Sequence, residues 1–436
     1  MSGLNAGQQA AYDLVMSRED PIVFVTGPGG VGKSYLINAL REAREAVVVA
    51  PTGIAAINVQ GKTIHRQFRV KTMVLDPKED EDNFIPLWPE QEMVLQRMDL
   101  LIIDEVSMVR ADLMDAVDRR LKQVRRSPLP FGGVQTMLVG DPFQLPPVLV
   151  RKEERIFREV GEWQTGKWFD ARVLRESGMK PAKLDQQMRQ ENQVFADILG
   201  RCRVGRPTES DLEVLNRRVT KTHPVGVAAL YSVNRGVDAI NENHIDTLDG
   251  PDFIFRRQVM GEWAGTHPLE EVRLRKGALV TMTTNSRDAW VNGDTGRIID
   301  LSERSAVVKL NRNGMEHVLY GPQAAAQAAR EGEPMGDHSW ENWTQEYVGN
   351  RLRRRLEGRA FQIPVRVAAA MTIHKSQGQT LDAAYVGGDL GWSPGLGYVA
   401  LSRVRSLEGL HLAAPVSLSA LRVDPDARRL ARLLAN

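Results

Sequence analysis

Short, nearly unbroken apolar runs punctuate the first 175 residues: IVFVTG (22–27), AVVVAP (46–51), LLIIDE (100–105) and TMLVGD (136–141). Each is closed by turn-forming or polar residues. Strands that read as continuous apolar runs, not as alternation, are buried on both faces, so the pattern predicts a parallel sheet covered by helices. After Gly32 the segment SYLINALREAREA carries Leu36, Ile37, Leu40 and Ala43 on one helical face, which predicts a helix there.

The pattern breaks over 66–98, where Pro86, Pro89 and the acidic stretch KEDEDN (78–83) predict a small insertion with a solvated loop. A second α/β region opens near residue 176 and holds VAALYS (227–232). From about 250 to 325 the texture is β-rich: GALVTMTTN (277–285), GRIIDLSE (296–303), AVVKL (306–310) and EHVLYG (316–321), joined by the turn signals VNGDTG (291–296) and NRNG (311–314). Asn292 reads as a turn residue there, while Asn285 fits a turn or a DNA contact. The stretch 322–360 runs from Ala-rich to Trp-bearing to basic. Its basic run RLRRRLEGR (351–359) suits a DNA contact or a solvated helix face equally and is left unassigned. AAYVGG (383–388) and LEGLHLAA (407–414) restore the α/β character. The expected division is 1–65 with 99–175, an insertion at 66–98, 176–249 with 361–436, and a β-rich, barrel-like insertion at 250–360.

Composition adds exclusions more than assignments. A hydrophobic share of 42% and a charged share of 26% fit a globular protein with real cores. No apolar run approaches the ~20 residues of a membrane span, and the N-terminus lacks the basic-then-apolar order of a secretory signal; a cytoplasmic protein of a bacterial or phage-infected cell is expected. One cysteine, Cys202, excludes an intrachain disulfide and a thiolate metal cage. The net charge of +2 neither supports nor excludes nucleic acid; any DNA track must be a local stripe.

The chemistry starts at GPGGVGKS (27–34), which follows a predicted strand, opens a predicted helix and matches G-x-x-x-x-G-K-[ST]. Its glycines let several N–H groups face one centre, and the helix N-terminus adds partial positive charge. Lys33 can then reach β- and γ-phosphates and Ser34 can bind Mg²⁺. Asp104 and Glu105 end a buried strand, where acids are costly unless they face a cation; Asp104 suits Mg²⁺ and Glu105 suits orienting or deprotonating water. GDPFQLPPV (140–148) places Gln144 on a proline-stiffened loop, where it can touch a γ-phosphate or the attacking water.

Taken together, these motifs resemble superfamily 1 DNA helicases, and within them the 1B group of the petite-integration-frequency (PIF) type, relatives of the RecD and phage Dda motors. LNAGQ (4–8), APTGIAA (50–56), TIHRQF (63–68), IIDEVSMV (102–109), PFGGVQTMLVGDPFQLPPV (130–148), LDQQMRQ (184–190), TIHKSQGQTLD (372–382) and YVALSRVRS (398–406) appear in the family's order. DLMDAVDRRLKQVRR (112–126) loosely resembles the stretch carrying the family's own signature.

The resemblance implies two RecA-like P-loop lobes, with a small strand-separating insertion in the first and an SH3-like β-barrel insertion in the second. It implies an ATP site of Gln8, which would read adenine, with Gly27, Pro28, Gly29, Gly30, Val31, Gly32, Lys33, Ser34, Tyr35 and Gly378. Arg189 and Arg403 would act as arginine fingers from the second lobe, with Arg405 a bystander. Thr52, Gly53, Thr63, His65 and Phe68 would hold DNA in the first lobe, and Thr372, His374 and Lys375 in the second. The implied activity is ATP-dependent, 5′→3′ translocation on single-stranded DNA with duplex unwinding by a monomer acting on forks, with replication or repair proteins as possible partners. The competing readings are a translocase that strips protein from DNA without robust unwinding, a binding module with a decayed ATP site, and a small-molecule kinase. Intact Lys33, Asp104, Glu105, Gln144, Arg189 and Arg403 argue against the decayed module, and the kinase leaves the two arginines and the paired TIH motifs unexplained.

Overall fold

The computed structural model describes residues 3–78, 83–147, 149, 151–186, 193–224, 227–263, 268–286, 289–333, 335, 337–348 and 351–434. The chain forms two compact units, 1–227 with 376–436, and 228–375. Among the described residues no helix is long and apolar enough to cross a membrane.

The first unit is built on the parallel sheet that the apolar runs predict. Its strands are β1 (Ile22–Thr26), β2 (Ala46–Ala50), β3 (Lys62–Thr63), β4 (Leu100–Ile103), β5 (Gln135–Gly140) and β6 (Lys180–Lys183), in the order β3-β2-β4-β5-β1-β6. Every pairing in it is parallel. Strands β1, β4 and β5 are buried along their whole length, as expected for a sheet covered on both faces. Helix α1 (Ala6–Ser17) begins with a reciprocal capping box between Asn5 and Gln8. Helix α2 (Lys33–Ala43) buries Leu36, Ile37 and Leu40 against the sheet. Because the sheet is parallel, the loops leaving β1, β4 and β5 emerge at the same edge, which is where such folds bind ligands.

The helix Ala111–Arg125 covers most of the stretch DLMDAVDRRLKQVRR, and its acids point inward. Asp112, Asp115 and Asp118 are all buried. Asp112 accepts from Leu75 N and from Arg110, Asp118 from Phe131 N at 2.7 Å, and Asp115 from Trp163 Nε1 at 2.6 Å, Arg172 N at 2.9 Å and Val173 N at 3.0 Å. Burial pushes the Asp115 carboxyl upward, against those three donors. Asp115→Ala would leave all three donors unpaired, Trp163 Nε1 and Val173 N in buried positions. Each such loss costs roughly 1–3 kcal/mol, so we expect about 3 kcal/mol or more of destabilisation in urea unfolding. A change under about 0.5 kcal/mol would reject this structural role.

The same helix anchors the 66–98 insertion. Arg120 donates to Phe68 O at 3.1 Å and Ile85 O at 2.6 Å and lies 4.1 Å over the Phe84 ring. Val70 and Phe84 form an antiparallel bridge, and the helix Pro89–Arg97 follows. Of KEDEDN, residues 79–82 lie outside the described set.

In the second unit, Ala228–Tyr231 and Ala370–Thr372 pair in parallel beside the helix Asn234–Asp246, whose Asn241 bonds both main-chain groups of Ala370. The expected β-rich insertion follows. Leu279–Met282, Thr295–Leu301, Ser305–Leu310, Glu316–Tyr320 and Val365–Val367 form a five-stranded antiparallel sheet. Val280, Ile298, Val308, Leu319 and Trp290 lie in its core. No barrel closes among the described strands. The basic run is not a helix face: Arg351–Phe361 is a strand paired antiparallel with Ser339–Val348. Main-chain pairing, available to any residue, overrides the charge pattern there. Asn285 Oδ1 accepts from Asn292 N at 2.9 Å, so Asn285 shapes the turn.

Candidate active site

A glycine-rich turn between β1 and α2 starts the site. Gly32 caps α2 with φ 76°, a left-handed conformation that glycine adopts without strain. A side chain at Gly27 would run into the Leu184 carbonyl, which is held on β1 by Leu184 N donating to Thr26 O. Lys33 Nζ donates to Gly27 O and Pro28 O, both at 2.8 Å. Burial pulls its ammonium downward, opposed by Asp141, Glu105 and Asp104.

At the end of β4, Asp104 is buried, and Glu105 stands in the left-handed region at φ 48°. A non-glycine residue there is uncommon and strained, and such residues concentrate at functional sites. Burial and the Glu105 carboxylate raise the Asp104 carboxyl well above its ordinary range, while Lys33 opposes the shift. A pair of acids so placed calls for a cation stronger than one lysine supplies.

Gly29, Gly30, Gly32, Lys33, Ser34, Asp104, Glu105, Gln144, Gly378 and Arg403 all line one cavity of about 320 Å³, within the usual range of small-molecule sites. The remaining nucleotide candidates, Gln8, Gly27, Pro28, Val31 and Tyr35, do not line it. Gln8 is buried; its Nε2 donates to Val31 O at 3.3 Å and Gly32 O at 3.2 Å, and its Oε1 accepts from Asn5 N at 3.0 Å, so the amide braces the phosphate loop. Arg189 lies outside the described residues. Arg403 is 2% exposed and donates to Val399 O, Ser376 O, Gln379 O and Ser402 Oγ.

Several cavity residues carried no assignment from sequence. Arg405, read as a bystander, lines the cavity and pairs with Asp382 at 3.1 Å. Ala55, Asn58 and Thr380 line it too. Behind it, Asp141 is fully buried and accepts from Arg203 at 3.0 Å and from the Tyr398 hydroxyl at 3.2 Å, while Gly29 N donates to that hydroxyl at 3.4 Å. Asp141 and Tyr398 lie inside quoted motifs; Arg203 had no signal in the sequence.

Among the DNA candidates, Thr52 and Thr63 accept from Ala55 N and Arg66 N as helix caps, Thr52 just before Gly53. Phe68 is 0% exposed, its ring packed within the first unit. Burial takes His65 down to about 4, and also lowers His374. Thr372 and His374 are half-buried and Lys375 is exposed.

The family profile of PIF1-like helicases matches residues 3–213. The ATP-dependent DNA helicase Pif1 of Psychrobacter sp. is 30% identical over 471 residues, spanning 97% of this chain and 69% of that one. Its counterpart in Bdellovibrio bacteriovorus is 30% identical over 425 residues, spanning 94% and 87%. The crystal structure of Pif1 helicase from Bacteroides in complex with ADP-AlF3 and ssDNA superimposes with a TM-score of 0.84 at 28% identity, covering 100% of this chain and 98% of that one. With the phosphate loop, its acids and Arg403 gathered in one cavity, and relatives aligned across nearly the whole length, this chain belongs to the PIF1-like helicase family.

Proposed function

We propose that the chain is an ATP-dependent DNA helicase that moves 5′→3′ on single-stranded DNA and opens duplexes and forks ahead of it. The observation that carries this reading is the convergence of Lys33, Ser34, Asp104, Glu105, Gln144 and Arg403 on one cavity. Phosphoryl transfer is mainly positioning and charge stabilisation, and this set supplies both. The loop N–H groups and Lys33 hold phosphate oxygens; Glu105 orients water; Arg403 offsets charge on the γ-phosphate. Ser34 and Asp104 would hold Mg²⁺, an ion that takes few protein ligands alongside phosphate oxygens and supplies charge neutralisation there.

Lys33 and Arg403 lie 370 positions apart in the chain, so the γ-phosphate contacts segments from both ends of the fold. A ligand shifts a conformational equilibrium only by contacts that differ between states. Loss of the γ-phosphate on hydrolysis removes those contacts and releases the pair of segments. In this reading the two RecA-like lobes have the boundaries expected from sequence, and the 66–98 insertion parts the strands. Thr52, Gly53, Thr63, His65, Thr372, His374 and Lys375 grip DNA without reading sequence, by contacts to the backbone. The active form is a monomer in the cytoplasm.

Matched duplexes with a 5′ or a 3′ single-stranded tail test activity and polarity together. We expect ATP-dependent strand displacement only from the 5′-tailed substrate. Displacement from the 3′ tail alone would reverse the polarity. Translocation with no displacement from either would make the protein a translocase.

A further inference from the structure

Gln144 carries an amide with a donor end and an acceptor end, and only the donor end suits an anionic γ-phosphate. Which end meets the cavity is set by a neighbour. Gln377, 6% exposed, donates from Nε2 to Gln144 Oε1 at 3.2 Å and to Ser107 Oγ at 3.2 Å. With Gln144 Oε1 held in this way, its Nε2 is the end left to the cavity that Gln144 lines.

Gln377 Oε1 has no hydrogen-bond partner among the described residues. Burying an acceptor unpaired is costly, and a purely structural amide would settle with both ends satisfied. This one gives up its acceptor to place its donor on Gln144. The backbone around it is fixed from several sides: Asn58 donates to Gly378 O, and Arg403 to Ser376 O and Gln379 O. Ser107 follows Glu105 by two residues, and Gln377 follows Lys375 by two. Gln377 thus joins the loop after the acids, the Gln144 loop and the chain segment that carries the TIHK residues.

We propose that Gln377 is a positioning residue that locks the Gln144 amide with its N–H₂ toward the γ-phosphate, making Gln144 a sensor of ATP against ADP and not an acceptor that aligns water. The proposal rests on the reading of the cavity as the nucleotide site.

The test compares affinities for ADP and for ATPγS in the full chain and in Gln377→Met and Gln377→Glu, at about pH 8. ADP lacks the γ-phosphate, so its affinity should stay within about threefold in both variants. Gln377→Met frees the Gln144 amide to turn and should weaken ATPγS about tenfold. Gln377→Glu should weaken it further, by about a hundredfold, because a carboxylate only accepts; it draws Gln144 Nε2 away and turns a carbonyl oxygen toward the phosphate. An unchanged ATPγS-to-ADP ratio in Gln377→Glu overturns the proposal. Equal losses for both nucleotides also overturn it, by marking the role as structural. Failure of the unaltered protein to bind ADP sinks the reading of the cavity itself.

Discussion

Lys33→Ala is expected to cut DNA-stimulated ATP turnover by at least about a thousandfold and to abolish strand displacement with it. Lys33 is the cation that the phosphate loop itself carries, and its Nζ already sits on the carbonyls of Gly27 and Pro28 inside the cavity. A preorganised donor aimed at developing charge in a water-poor site is worth about 10²–10³ in rate. Lys33 adds a full positive charge and faces Asp104 and Glu105 as well, so its removal also leaves two neighbouring acids less compensated. The fold should survive. Gly32 and the glycines before it shape the loop through backbone conformation, and α2 is anchored by Leu36, Ile37 and Leu40. Thermal unfolding should therefore move by only a few degrees while turnover collapses. Steady-state hydrolysis within tenfold of the unaltered protein would reject the assignment.

The phosphate loop was legible because its spacing is dictated by local geometry: a strand, a left-handed glycine at 32 and a helix beginning at Lys33. The parallel sheet was legible for a similar reason, since strands covered on both faces must be apolar throughout. What stayed hidden depends on partners remote in sequence. Phe68 has the ring a base would stack on, and only tertiary packing shows it to be buried. Asp141 meets Arg203 and Tyr398 across separations of 62 and 257 residues, and no local periodicity encodes such a meeting. The buried acids Asp112, Asp115 and Asp118 run against the usual expectation that charge marks a solvent face; they are tolerated because donors meet each of them. The strand Arg351–Phe361 was obscured by its own charge, because a basic run says nothing about backbone pairing. Gln377 lay in plain view within TIHKSQG, yet only its bond to Gln144 gives it a task.

Arg403 tests a different half of the chemistry, the cation that comes from the distant end of the chain. Its guanidinium is held by Val399 O at 2.9 Å, Ser376 O at 3.3 Å, Gln379 O at 3.1 Å and Ser402 Oγ at 2.9 Å, and it lines the cavity with Lys33. These four acceptors are neutral, so they orient the planar fork without cancelling its charge. An arginine finger is worth about 10³–10⁵ in rate in related chemistry, and Arg403→Ala is expected to lose turnover in that range. Affinity for single-stranded DNA should stay within about threefold. Arg403→Lys should rescue little, because an ammonium keeps the charge but has neither the planar fork nor enough donors for all four acceptors. Both variants leave buried acceptors unpaired, at roughly 1–3 kcal/mol each, so both should melt earlier; ADP binding below the melting range separates lost catalysis from lost structure. If Arg403→Ala kept its turnover but released DNA, the residue would belong to the DNA grip. If Arg403→Lys restored full turnover, charge alone would suffice, and the fork held by the loop around Ser376 and Gln379 would have no part in the chemistry.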